Sequence, residues 1–135
     1  MHLRICIDID GTLCRFRENG EAYSDVTPLP GAVERMKSLK AAGHYLILLT
    51  ARHMATTGGN PGLAVARQGK TLFDWLAQHD IPYDELWFGK PQADVYIDDN
   101  GYRFTDWAEI EPGGANLPLN REKAKGSNAA PEVSR

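Results

Sequence analysis

Cysteine is scarce in this chain, with two residues, Cys6 and Cys14, among 135. Two thiols make neither a disulfide framework nor a zinc-ligand pattern, so reduced thiols in a cytoplasm are expected. Long apolar runs are also lacking. The longest, such as residues 45–49, fall far short of the ~20 residues a membrane helix needs, and the N-terminal stretch has no secretory apolar region, so no membrane is expected as a partner. Basic charge is not in excess either. Lys and Arg total 15 against 18 for Asp and Glu, a net charge of -3. With no basic block to track a phosphate backbone, nucleic acid is not an expected partner. No internal repeat occurs.

What is present suits one globular domain with a tail. Hydrophobic residues make up 42% and charged residues 24%, close to the globular average and away from the signature of disorder. Residues 2–8 read as a first strand broken by Asp10-Gly11, and residues 12–27 as a polar loop. Pro28-Leu29-Pro30-Gly31 opens a helix with Pro30 near its first position, Val33, Met36 and Leu39 recur at helical spacing, and Gly43 ends it. The continuous apolar run 45–49 predicts a strand covered on both faces. Residues 53–69, rich in Gly, read as a long loop, and residues 70–79 as a second helix carrying Leu72, Trp75, Leu76 and His79. Residues 85–88 and 94–98 read as two further strands, although the link between them is barely long enough to return a chain to a parallel neighbour. Trp75 and Trp87 are expected in the core. Strands alternating with helices predict an α/β fold with a mainly parallel central sheet in a Rossmann-like three-layer sandwich. The expected division is a core over 1–110 and a mobile tail over 111–135.

The chemistry-bearing residues recur at strand ends, where open α/β sheets place their ligands. Asp8 and Asp10 close the first strand, followed by Gly11 and Thr12, a turn whose N–H groups can face an anion. Thr50 ends the second strand, Lys90 follows the third, and Asp98-Asp99 follow residues 94–97. Taken singly, each has a bland reading: a solvated turn, a cap, a surface lysine, another turn. Together they supply what phosphoryl transfer needs, namely a carboxylate nucleophile, a second carboxyl to move protons, hydroxyl and N–H donors, and a cation. Oxygen donors without a His or Cys cluster favour a hard cation such as Mg²⁺.

Asp8-Ile9-Asp10-Gly11-Thr12, the apolar run into Thr50, Lys90, and Ile97-Asp98-Asp99 resemble the four ordered motifs of the haloacid dehalogenase superfamily. Thr50-Ala51-Arg52-His53-Met54, Gly59-Asn60-x-Gly62, Trp75-Leu76-x-x-His79, Pro82-Tyr83-Asp84-Glu85 and Gly89-Lys90-Pro91 resemble, more narrowly, its small capsule-biosynthesis phosphatases. The resemblance covers residues 1 to about 110. It implies that Asp8 forms an aspartyl-phosphate, that Asp10 protonates the leaving oxygen and then activates water, and that Asp8, the Asp10 carbonyl and Asp99 hold Mg²⁺. Asp98 is implied as a supporting residue. Thr50 and Lys90 would bind the phosphoryl group, helped by the Gly11 and Ala51 N–H groups.

Neither the loop 12–27 nor the stretch between Thr50 and Lys90 has room for a cap domain, so the chain resembles a capless member. Its open site would be shielded by loops, by the substrate or by a second copy in a homo-oligomer. Arg15, Arg17 and Tyr23, with Arg52, His53 and Asn60, are the candidates for contacts beyond the phosphate.

The expected activity is hydrolysis of a small phosphorylated metabolite, with a sugar phosphate of polysaccharide biosynthesis as the family-based expectation and a nucleotide as the alternative. Two readings from other classes remain open: a phosphoryl-accepting signalling receiver and a non-catalytic binding module. Receivers carry their acid pair early and their Lys last, whereas here Asp98-Asp99 follow Lys90.

Overall fold

The computed structural model describes residues 1–119. Three strands, β1 (Arg4–Asp8), β2 (Tyr45–Thr50) and β3 (Glu85–Phe88), form a parallel sheet in the order β1-β2-β3. Two helices, α1 (Ala32–Ala41) and α2 (Pro61–Gln78), connect them. The result is the expected α/β architecture, a Rossmann-like sandwich without a cap domain. The register pairs Asp8 with Leu49 and Thr50 with Phe88. The carboxyl ends of all three strands therefore share one edge, and the residues just beyond them are brought together.

The core follows the sequence pattern. Ile7, Leu46, Leu48, Leu72, Trp75 and Leu76 are buried together with Met36 and Leu39 of α1. The Trp75 indole donates to the Val26 carbonyl at 2.7 Å, so its one polar group is satisfied where water is excluded. Trp107 does the same for the loop that follows β1, donating to the Thr12 carbonyl at 2.7 Å. Residues 12–27 form a loop with a 3₁₀ turn at Tyr23–Asp25, closed by the Arg15 N–H on the Thr27 carbonyl at 3.3 Å and the Leu29 N–H on the Leu13 carbonyl at 2.9 Å.

Several expectations need correction. Helix α1 begins at Ala32 behind Gly31, whose φ of 79° is left-handed, so Pro30 precedes the helix instead of starting it. Helix α2 begins at Pro61, well before residue 70. Asn60 caps it by accepting from the Leu63 N–H at 3.1 Å, and Pro61 fits a first-turn position because it has no N–H to leave unsatisfied. Gly62 and Gly69 made this stretch look like loop. Gly69 is instead buried inside the helix, a packing use that outweighs its poor propensity.

Residues 94–98 do not join the sheet. They form no strand, and Ile97 is 95% exposed, in keeping with a connection too short for a parallel return. Trp87 is 56% exposed, its indole on Glu85 Oε1 at 2.7 Å, and it lines an apolar groove with Pro61, Val65 and Phe73. The tail expected from residue 111 is held for its first part. The Pro112 carbonyl lies 2.7 Å from His44 Nε2, Gly114 is buried, and Leu117 packs against the core. Residues 120–135 of that expected tail lie outside the described ones.

Candidate active site

Asp8 occupies the last position of β1, and its Oδ1 lies 3.4 Å from the Lys90 ammonium, which reaches across from beyond β3. The Lys90 N–H donates to the Thr50 carbonyl at 3.1 Å, extending the β2–β3 pairing and fixing where the side chain departs. Burial pushes the Asp8 carboxyl above its ordinary value, an effect that Lys90 and the Ile9 N–H only partly offset. Tyr96 adds a face to the ammonium, with Lys90 Nζ 4.5 Å from its ring centroid. Tyr96, expected within a strand, lies outside the sheet and meets Lys90 from that position.

Asp10 is held differently. Arg52 binds it side-on, Nε to Oδ2 at 2.9 Å and Nη2 to Oδ1 at 3.0 Å. The Cys14 thiol lies 3.5 Å from Oδ1. Burial, then the charge of Asp10, pushes that thiol up to about 12, so it faces the carboxylate as a neutral S–H. The Tyr23 ring covers the guanidinium at 4.2 Å, and Arg17 lies over Tyr23 at 4.8 Å, a cation–π stack of the kind that orders long side chains.

The structure brings Asp8, Asp10, Arg52 and Lys90 to one edge, with Thr50 at the end of β2 between them in sheet order. Thr50 is fully buried, and its Oγ1 accepts from the Arg52 N–H at 3.1 Å, leaving the hydroxyl proton to be donated. The Gly11 N–H, expected to face phosphate, donates instead to the Cys14 carbonyl at 2.8 Å, and the Thr12 N–H to the Ile9 carbonyl at 3.1 Å. The tight turn uses both donors to close itself. Ala51 follows Thr50, its carbonyl accepting from the Met54 N–H at 3.0 Å.

The selectivity candidates separate into two groups. Arg15 staples its own loop, donating to Glu21 Oε1 at 2.8 Å and to Thr27 Oγ1 at 3.2 Å, and Asn60 is occupied as the cap of α2. Arg52 is 3% exposed and is no surface contact. Arg17, Tyr23 and His53 remain near the site. His53 adopts a φ of 58° with Nδ1 3.0 Å from Thr56 Oγ1. Burial, then Arg67, Arg17 and Arg52, keeps its imidazole below the usual value.

The divalent cation implied by the resemblance would draw oxygen donors from Asp8, Asp10 and Asp99. Among the described residues, no three His, Cys, Asp or Glu side chains come close enough together to hold an ion. Asp98 and Asp99 are exposed, in the segment that fails to join the sheet. Asp98 closes its own turn, Oδ1 accepting from the Gly101 N–H at 2.8 Å and the Asn100 N–H at 3.3 Å. Asp8, Asp10 and Asp99 are thus not gathered as one ion-binding group in this arrangement, and Asp98, implied as a supporting residue, closes its own turn instead. Asp8 and Asp10 fit such a site; Asp99 as placed does not.

No protein-family model and no curated protein matches the chain. Solved structures do. A structural-genomics target from Vibrio cholerae is 32% identical over 82% of this chain and 90% of its own, with a TM-score of 0.72. Chains of a Pnkp1/Rnl/Hen1 complex and of the Pnkp1/Rnl/Hen1 RNA repair complex are 23% identical over 73% of this chain, with TM-scores of 0.47, and the match covers 31% and 28% of those chains. Among the described residues, no helix is long and apolar enough to cross a membrane.

Proposed function

Since the chain belongs to one family with the Vibrio cholerae protein, with its charged residues gathered at the strand-end edge, we propose that it is a phosphomonoester hydrolase of the haloacid dehalogenase type acting through Asp8. The observation that carries this reading is the Asp8 carboxylate at the end of β1 with the Lys90 ammonium 3.4 Å away. Lys90 can offset charge on an incoming phosphoryl group, which otherwise repels a carboxylate nucleophile.

In the first half-reaction an Asp8 oxygen forms a bond to phosphorus while the bond to the leaving oxygen breaks, and that oxygen takes a proton from the Asp10 carboxyl. In the second, the oxygen of a water bonds to phosphorus, its proton passes to Asp10, and the bond to Asp8 breaks, returning both carboxyl groups to their starting states.

Mg²⁺ belongs to this proposal as the cation that offsets negative charge when bound. The side chain of Asp8 and the carbonyl of Asp10 would hold it. No step above is routed through it, because Asp99 does not stand with them.

The substrate proposed is a small cytoplasmic phosphate ester, a sugar phosphate of polysaccharide biosynthesis first and a nucleotide second. An open edge with Tyr23 and Tyr96 near it suits either. A second copy shielding that edge is part of the proposal and is checked by solution mass. Release of inorganic phosphate across a panel of sugar phosphates and nucleotides, with Mg²⁺ and with a chelator, tests the reading. Release that needs Mg²⁺ supports it. A stable phosphorylated chain with no phosphate release would favour a signalling receiver, and no reaction on any ester a binding module.

A further inference from the structure

The salt bridge between Arg52 and Asp10 is poorly explained by stability. Its arginine side chain is 1% exposed and its aspartate 23%, and the third guanidinium nitrogen, Nη1, is buried with no partner. A buried donor left unmatched is destabilising, and a buried ion pair is weak support for a fold once its desolvation is counted. An apolar side chain would fill this space at lower cost. What the arginine does supply is direction. Two parallel N–H bonds from a planar fork set both the position and the plane of a carboxyl group. The fork is itself fixed, with its main-chain N–H on Thr50 Oγ1 and its guanidinium against the Tyr23 ring, which Arg17 also meets.

We propose that Arg52 is a positioning residue, clamping the Asp10 carboxyl side-on beneath Tyr23 so that its remaining lone-pair direction faces the leaving oxygen and then the attacking water. This rests on the phosphomonoesterase reading above. Each carboxyl oxygen has two lone-pair directions; the clamp takes one on each and the Cys14 thiol meets Oδ1 as well, so the direction left open on the partly exposed carboxyl is on Oδ2. Neither Arg52 nor Tyr23 touches the phosphoryl group; both act through Asp10.

The proposal predicts a dependence on the leaving group that a purely structural role would not give. Nitrophenolate leaves without a proton, whereas the alkoxide of glycerol 2-phosphate needs one. Arg52→Lys and Arg52→Ala should therefore lower kcat on glycerol 2-phosphate by roughly 100-fold or more, the scale of general acid catalysis. The first-turnover release of nitrophenolate from p-nitrophenyl phosphate should stay within about threefold, because that step asks nothing of the acid. Asp10→Asn should show the same split. Tyr23→Leu, at a residue only half-buried, should show it more weakly and decides the matter if the Arg52 variants fail to fold. Equal losses on both esters, or none on either, would overturn the role of Arg52. Failure of the underlying reading is separate: there, the parent chain and Asp8→Asn would be equally inert, or equally active, on both esters.

Discussion

Lys90 and Asp8 meet at 3.4 Å although β2 lies between the strands that carry them. The contact exists because both side chains leave the same edge of a parallel sheet, where Thr50 ends the intervening strand. A cation placed this way does two opposed things. It attracts a phosphate, and it partly offsets the burial that disfavours the charged form of Asp8. Burial prevails, since the Asp8 carboxyl is held above its ordinary value despite Lys90.

Asp8→Asn should therefore abolish phosphate release while making the chain more stable at neutral pH. A carboxyl whose value is raised in the folded chain contributes fully to stability below its unfolded value of 3.8, and the contribution is lost as pH rises through the folded value. Above the folded value the parent carries an ionised, half-buried carboxylate, which the amide removes. Melting curves in a chelating buffer should place the variant above the parent at pH 7, with the gap closing as the pH falls toward 3.8. A variant less stable than the parent at pH 7 would contradict this balance.

Asp84 sits at the other end of the sheet and should matter for stability alone. Its side chain is 1% exposed, with Oδ2 accepting from the Leu46 N–H at 2.8 Å and both oxygens bound to Lys40 Nζ at 2.6 and 2.7 Å. Asp84→Ala leaves that N–H unmatched and should cost about 1.5–3 kcal/mol, the range for hydrogen bonds to a charged group. Urea unfolding measures the loss, and kcat of the folded fraction should match the parent. A fall in kcat without a fall in stability would show that Asp84 communicates with the active edge.

The placement of Asp8, Thr50 and Lys90 could be read from the sequence because each follows a short apolar strand, and parallel strands put such positions on one edge. Asp10 was legible as a neighbour of Asp8, but its clamp was not. Arg52 was expected among the contacts beyond the phosphate, and only tertiary packing, with Tyr23 arriving from a distant loop, shows that it turns inward onto Asp10. Asn60 and Pro61 carried a helix start that the surrounding glycines obscured. Asp84 was legible only as part of a family motif, with no hint that it anchors Leu46 and Lys40. Residues 94–98 carry the β-branched and aromatic residues of a strand, but their short connection opposed that reading, and the connection decided the outcome.

Cys14 should behave as an inert thiol in the folded chain. Its residue is buried and its ionisation lies at about 12, pushed up by burial first and by Asp10 second. Burial raises the Cys6 thiol as well, but Cys6 is exposed, so at pH 8 a disulfide reagent should titrate that one thiol per chain, more slowly than a free cysteine, and two after unfolding in guanidinium. The same displacement works on stability. A thiol raised from 9.0 to about 12 contributes fully below 9.0, and the contribution is lost as pH climbs toward 12. Cys14→Ala should flatten the alkaline fall in stability while leaving the acid side unchanged. Rapid reaction of Cys14 in the native chain would show that the loop over Asp10 opens readily.

Gly11 tests whether backbone or side chain sets the turn that presents Asp10. Its φ is 85°, and a Cβ there would lie 2.5 Å from the Phe16 ring. Phe16 is 72% exposed and can swing aside, so the clash is cheap to relieve, whereas the left-handed backbone is not. Gly11→Ala should lose about 1–2 kcal/mol from that conformation. It should also lower kcat, because relaxing φ would shift the carboxyl group one residue earlier. Adding Phe16→Ala should recover only a minor part of the stability. Full recovery in the double variant would assign the cost to the ring and leave the turn free to accept a side chain.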